Sequence, residues 1–268
     1  MHDRPRILLP VSVLEGDSIP DGVPDLLTNA HVVLLGYHVV PDQTATEQAR
    51  DQFEAQASRR LDDLTAILED AGAVVESTLV FTHDGQTTID RVTDEHDCLA
   101  VLIPQSTGPI ENVLVAVRGV VGVDRFVRLI LGLFAPDEGE GLSSRVRSIL
   151  SLGAETSPEI SVTLYHVAGE DETDEDVETL LDGVASRLSD EGVPQDGIDI
   201  EVARGGDPGE MIIEASEDYD AIVMGESDPS VSTFIFGMTA DNVARQFLGP
   251  VFVIQHGSPD DDGAPDTE

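Results

Sequence analysis

Residues 206–254 read GDPGEMIIEASEDYDAIVMGESDPSVSTFIFGMTADNVARQFLGPVFVI. The textures follow one another as loop, amphipathic helix, buried strand, glycine-bearing loop, helix and buried strand, the closing half of an open α/β sheet of nucleotide-binding type. Such sheets hold a phosphate in the loop after a buried strand, so the residues that follow Met224 are where function is decided. Working outward, the same texture recurs. From Asp84 the chain runs DGQTTIDRVTDEHDCLAVLI, and from Asp207 it runs DPGEMIIEASEDYDAIVMGE, aligned without a gap. Asp84 matches Asp207, Ile89 matches Ile212, Asp94 matches Glu217 and Asp97 matches Asp220. Upstream, Tyr37-His38-Val39 ends one apolar run and Tyr165-His166-Val167 ends another. Two copies of one unit, joined end to end, explain both matches.

In the first copy, residues 6–13, 31–40, 73–81 and 98–104 are β-branched and leucine-rich runs of strand length. A long helix lies between the second and third. Phe53, Ala57, Leu61, Leu64, Leu68 and Ala71 recur at three- and four-residue steps, and Gly72 supplies a stop. The second copy has strands at 112–117, 160–167, 198–203, 221–224 and 250–254, with helices at 176–190, at 208–217 and from Thr239. Residues 123–153 are either two helices, or a strand at 126–134 followed by a helix with Leu142, Val146, Ile149 and Leu150 on one face. In the second case NVLVAVRG closes the first copy, and the boundary moves some ten residues later. The first reading is preferred, because residues 105–111 are too few for a crossover between parallel strands.

Strands that alternate with amphipathic helices call for parallel, doubly wound sheets. The expected fold class is therefore α/β, two such domains in tandem, the first truncated after its fourth strand because neither glycine loop nor final helix follows Pro104. The expected division is 1–110, 111–256 and a polar, acidic tail at 257–268.

Composition sets the surroundings. With 268 residues, 40% of them apolar, the chain can bury one large core or two ordinary ones. Acidic residues number 53 against 14 basic, every one of the latter an arginine, for a formal charge of −39. Self-repulsion of that size is relieved in molar salt, where the Debye length shrinks to about 3 Å, so a halophilic protein of a salty cytoplasm is expected. Apolar periodicity along nearly the whole chain argues against an acidic disordered protein. A basic face for nucleic acid is excluded by the lack of clustered Lys or Arg, and anionic membrane surfaces are disfavoured for the same reason. Cys98 is the sole cysteine, which rules out a disulfide within the chain, and it reads as a small core residue. No run reaches the 18 or so apolar residues of a membrane span, and MHDRPRILLP lacks a signal-peptide pattern, so the expected location is cytoplasmic.

The chain now resembles the universal stress protein family in a tandem, two-domain form. The most specific part is Gly206-x-Pro208-x-x-x-Ile212-x-x-Ala215-x-x-x-x-Asp220-x-Ile222-Val223-Met224-Gly225, similar to that family's third helix and fourth strand; Gly249-Pro250-Val251-Phe252-Val253-Ile254 is similar to its fifth strand. The resemblance implies adenine-nucleotide-hydrolase-like domains with strand order 3-2-1-4-5, and dimers through the fifth strand. Nucleotide-binding members carry G-x-x-G, nine residues, then G-S or G-T after the fourth strand, since glycines let backbone N–H groups approach a triphosphate at a helix N-terminus. Here Gly225 is followed by Asp228 in place of the second glycine, only eight residues precede Gly237, and Met238 intervenes before Thr239. Glu226 and Asp228 would repel phosphate by about 1 to 4 kcal/mol per contact, a cost that salt or a cation reduces, whereas a lost glycine and a shortened loop redirect the donors themselves. Those members also place an Asp at the end of the first strand, where this sequence has Ser12 or Val13, and Arg118 in the second copy. If ATP is bound, the residues that hold it are Gly225, Ser230, Ser232, Thr233, Gly237 and Thr239; the plainer role of Gly237 and Thr239 is turn and helix N-cap.

Other constellations are thin. His38 and His166 end equivalent strands and read as half-buried structural groups; His96 and Cys98 could share a strand face but have no further ligand, so no metal is expected. The acidic run 170–178 is a solvated helix start or a weak cation site. No G-x-S-x-G elbow, H-E-x-x-H pair or lysine-bearing P-loop occurs, so the chain is expected not to be an enzyme. The expected function is a noncatalytic stress-response protein acting through protein contacts, as a homodimer or with a protein partner. The alternatives are an ATP-binding member with slow hydrolysis, and a soluble partner of a membrane transporter, since similar domains occur fused to transporters.

Overall fold

The apolar β-branched runs become strands β1 (Arg6–Ser12), β2 (His31–Val39), β3 (Val74–Thr82), β4 (Ala100–Ile103), β5 (Asn112–Ala116), β6 (Ser161–Ala168), β7 (Ile198–Arg204), β8 (Ala221–Gly225) and β9 (Val251–Ile254). The structure is a computed structural model, and it describes residues 4–118, 123–134, 160–225 and 243–255. Between the strands run α1 (Val23–Leu26), α2 (Thr46–Asp70), α3 (Gly85–Glu95), α4 (Val123–Phe134), α5 (Asp174–Asp190) and α6 (Pro208–Ala215). Residues 123–134 are helical, as the two-helix reading of that region expects. Residues 135–159 lie outside the described part, and so does the start of the helix expected from Thr239, of which 243–246 is seen.

Local chemistry explains the helix starts. Asp84 caps α3 by accepting from Thr87 N, and Asp207, with which it aligns in sequence, caps α6 by accepting from Gly209 N and Glu210 N. Thr173 and Asp176 form a reciprocal capping box on α5. In α2 the stripe read from sequence turns inward, with Ala57, Leu61, Leu64 and Leu68 buried; each leucine withdrawn from water stabilises by about 1.5–3 kcal/mol.

The strands lie in the order β3-β2-β1-β4-β9-β8-β5-β6-β7. Every neighbouring pair is parallel except β4 and β9, which run antiparallel in the register Ala100↔Ile254 to Ile103↔Val251. β5 pairs with β6 on one side and β8 on the other, so NVLVAVRG supplies a central strand beside the later elements. Where the sequence reading expects two sheets in tandem, the strands form one. The physical reason is β9, which offers its second edge to the strand that would otherwise end the first group. With both edges of β9 paired inside the chain, the dimer contact implied for a fifth strand is not available to it.

Helices cover both faces. On one face, Leu64 and Leu68 of α2, Leu129 and Ile130 of α4 and Leu181 of α5 belong to a continuous apolar core with Ile7, Val115 and Phe252. On the other, Ile89 of α3, Ile212 of α6 and Val243 pack with Leu8, Leu114 and Val253. Both cores cross the β4–β9 seam. Because that seam is antiparallel, the C-terminal ends of β1 to β4 lie at one edge of the sheet and those of β5 to β9 at the opposite edge.

Candidate functional site

In an open α/β sheet the ligand crevice lies beyond the C-terminal ends of the strands, where successive connections leave in opposite directions. For β5 to β9 this edge is formed by Val117 and Arg118, the start of α4, Gly225 and Gln255. Gly225 closes β8 opposite Ile254. A Cβ at Gly225 would stand 3.8 Å from Phe126 Cζ, an ordinary contact, so on the α4 face the space beside this glycine is filled by the Phe126 ring. One residue earlier on α4, Arg125 Nη1 donates to Gln255 O at 2.9 Å and ties the helix to the end of β9. Arg118 is exposed and makes no hydrogen bond or ion pair among the described residues. Of the six nucleotide-site candidates, Gly225 alone lies within the described part. Ser230, Ser232, Thr233, Gly237 and Thr239, with Glu226 and Asp228, fall outside it.

The buried polar centre of this edge is His166. Its Nδ1 lies 2.7 Å from Val117 O and its Nε2 3.2 Å from Glu172 Oε2. Both partners accept, so both bonds form together only when the ring carries two protons. Glu172 also accepts from Gly169 N at 2.6 Å. That backbone bond, followed by the His166 contact, holds the Glu172 carboxyl below its ordinary range. The side chain of His166 is 1% exposed, so it is buried where the sequence reading expects a half-buried ring. The reason is the turn at 169–172, which folds Glu172 back over it. His166 pins the end of β5 to the loop after β6, and its burial keeps it from solvent-borne substrate. Three residues of the acidic run 170–178 thus have internal partners: Glu172 as described, Asp174 with Arg204, and Asp176 with Thr173, whose hydroxyl and amide lower the Asp176 carboxyl.

The opposite edge is built differently. Sequence reading finds Ser12 or Val13, and no carboxylate, at the end of β1. The structure brings Asp17 there from the following loop, its Oδ2 accepting from Ser12 N at 3.0 Å, while Arg60 donates to Asp17 O. No periodicity marks a loop residue that folds back, so this group had no signal of its own. His38 stands between Phe53 and Phe81, with centroids 6.1 and 5.9 Å away, and its Nδ1 is buried without a hydrogen bond.

Cys98 is buried, and desolvation pushes its thiol up to about 12, which leaves negligible thiolate at neutral pH. His96 turns to Glu76, with Nδ1 3.4 Å from the carboxylate, and His31 approaches the same carboxylate at 3.8 Å. Among the described residues no group of three or more His, Cys, Asp or Glu is placed to hold a metal ion, and no helix is long and apolar enough to cross a membrane.

The architecture is an α/β fold with a mostly parallel sheet, and it is similar to the crystal structure of a universal stress protein from Archaeoglobus fulgidus DSM 4304. That match has TM-score 0.59 and 17% identity, covering 94% of this chain and 98% of that one. The chain is also similar to a functionally unknown protein from Pseudomonas aeruginosa PAO1 (TM-score 0.49, 16% identity, 95% and 94% covered). A further likeness is to the cytoplasmic domain of a prokaryotic cation chloride cotransporter (TM-score 0.47, 10% identity, 95% and 97% covered). The sequence model of the universal stress protein family matches residues 153–255, a span that runs from before β6 to the residue after β9. No curated protein matches the chain.

Proposed function

We propose that this chain is a noncatalytic regulatory protein of universal stress type, built from two copies of one unit divided near residues 110–111, and acting through protein contacts in a salty cytoplasm. The observation that carries the reading is the end of β5, where an exposed arginine, Arg118, stands in the position at which nucleotide-binding members are expected to present a carboxylate to the nucleoside. Phe126 beside Gly225 and the Arg125 bond to Gln255 support it, since both bring side chains of α4 onto this edge. Any homodimer would use a surface other than β9.

A second reading, an ATP-binding protein with slow hydrolysis, draws on the same arginine. A guanidinium without a partner among the described residues, at a strand-end crevice, suits phosphate. Calorimetry with ATP and Mg²⁺ in molar KCl separates the two. The first reading expects no saturable heat. Saturable micromolar binding, abolished by Gly237→Asp and weakened by Arg118→Ala, would establish the second.

A further inference from the structure

Among the described residues the sheet ends at β7, whose outer edge has no strand partner there, and this edge is unlike the other. All seven residues of β7 are in register with β6, from Val162↔Ile198 to Ala168↔Arg204, so the open side is regular along its length. It carries no proline or bulge, and the charges that guard it are Asp199, Glu201 and Arg204, so an acidic strand is kept off mid-strand while a basic one is not. Mid-strand, Ile200 and Val202 are 43% and 46% exposed, two of the six large apolar side chains so exposed among the described residues. At the far end of the sheet β3 exposes Val74 to a similar degree, but at its first residue.

Ile200 and Val202 face a groove of about 640 Å³ whose other wall is α5. Val177 and Leu181 form its floor. Along its rim stand Asp174, Glu178 and Asp182, at four-residue steps on one line of the helix. Like charges at that spacing oppose helix formation by a few tenths of a kcal/mol each, so the row is a liability unless a cation lies against it. The one arginine in the groove, Arg204, engages Asp174 and Glu172 O at one end and leaves Glu178 and Asp182 facing open space.

We infer that the edge of β7 and the groove beside it bind an extended basic segment of a partner protein. The segment adds as a tenth strand and turns alternate arginine or lysine side chains to the α5 face, their aliphatic stems over Ile200 and Val202 and their charged heads at Glu178 and Asp182, while the intervening apolar residues face the other side. A second copy of this chain is the wrong occupant, because it would bring another row of carboxylates and the acidic outer residues Asp199 and Glu201. Contact pairs at this rim survive molar salt better than long-range attraction does. The site is remote from the strand-end crevice, so the inference stands whether or not a nucleotide binds there.

The test uses the full chain in 1 M KCl and a fluorescein-labelled peptide, RVRVRVR, followed by anisotropy; EVEVEVE and a proline-interrupted RVRPRVR serve as controls. Expected are saturable binding of the first peptide alone, affinity reduced about tenfold or more by Ile200→Thr/Val202→Thr and by Glu178→Gln/Asp182→Asn, and slowed amide exchange in β7 on binding. Far-UV circular dichroism checks that each variant is folded. Equal binding to the threonine variant would reveal diffuse attraction to an acidic surface and overturn the inference. So would no binding at all, or a dimer in sedimentation that the threonine variant dissolves.

Discussion

His38 and His166 hold the same place in the two Tyr-His-Val strand endings, yet their surroundings share nothing. One ring is wedged between Phe53 and Phe81, while the other bonds to Val117 O and Glu172. Their equivalence was legible in the sequence; their partners were not, because those come from α2 and β3 in one case and from the end of β5 and a returning loop in the other. Asp84 and Asp207 behave oppositely. Each caps its helix through a bond to amides two or three residues on, so a local pattern was enough to reveal the role. Of the strand-end edge, Gly225 and Arg118 could be read in advance, whereas Asp17 and Phe126 arrive by tertiary folding. Glu172 gives a pH test. Its carboxyl is held below the ordinary value of 4.5, first by Gly169 N and then by His166. A depressed folded value means that the unfolded chain binds the proton first, so the contribution of Glu172 is complete above about pH 4.5 and disappears as pH falls through the folded value. The stability difference between wild type and Glu172→Gln, measured by urea titration at fixed salt, should therefore be largest near neutrality and shrink in acid. A difference that grew below pH 4.5 would contradict this account.

At the scale of elements, apolar runs and three-to-four-residue stripes located the strands and α2 closely, since burial imposes a period on the chain. Pairing was harder to read. AVLI in β4 and VFVI in β9 are apolar on both faces, so neither sequence carries a sign of which neighbour or direction it takes. The packing of α4 on the first strands was equally hidden. A Cβ at Gly132 would stand 2.5 and 2.8 Å from ring atoms of Pro5, which precedes β1 and cannot swing aside as a flexible chain would. Two effects compete there. Alanine in a helix interior gains about 1 kcal/mol over glycine. Overpacking against a rigid neighbour costs about 1–3 kcal/mol, and it should win. Gly132→Ala is accordingly expected to lower the urea midpoint, and a raised midpoint would mean that α4 does not sit on Pro5. A second tight approach is Gly22, at φ +85°, where an added Cβ would overlap Thr107 O; the turn before α1 and the segment after β4 meet there.

The molecule as a whole hangs on the β4–β9 seam. Phe252 is fully buried in it, with its ring 6.2 Å from that of Phe134 in an edge-on arrangement. Phe252→Ala should cost about 3–5 kcal/mol and, because both cores cross the seam, shift strands on either side together in one transition by amide exchange. Protection lost in β5 to β9 while β1 to β3 keep theirs would show two separable cores. The charge of −39 acts on the same scale. The Debye length falls from about 10 Å at 0.1 M salt to about 3 Å at 1 M, so the melting temperature should climb steadily across that range of KCl, and a flat profile would argue against a halophilic protein. The seam has one more consequence. Joined within a single polypeptide, its two sides never face dilution, and a substitution on one side is not mirrored on the other as it would be in a pair of identical subunits.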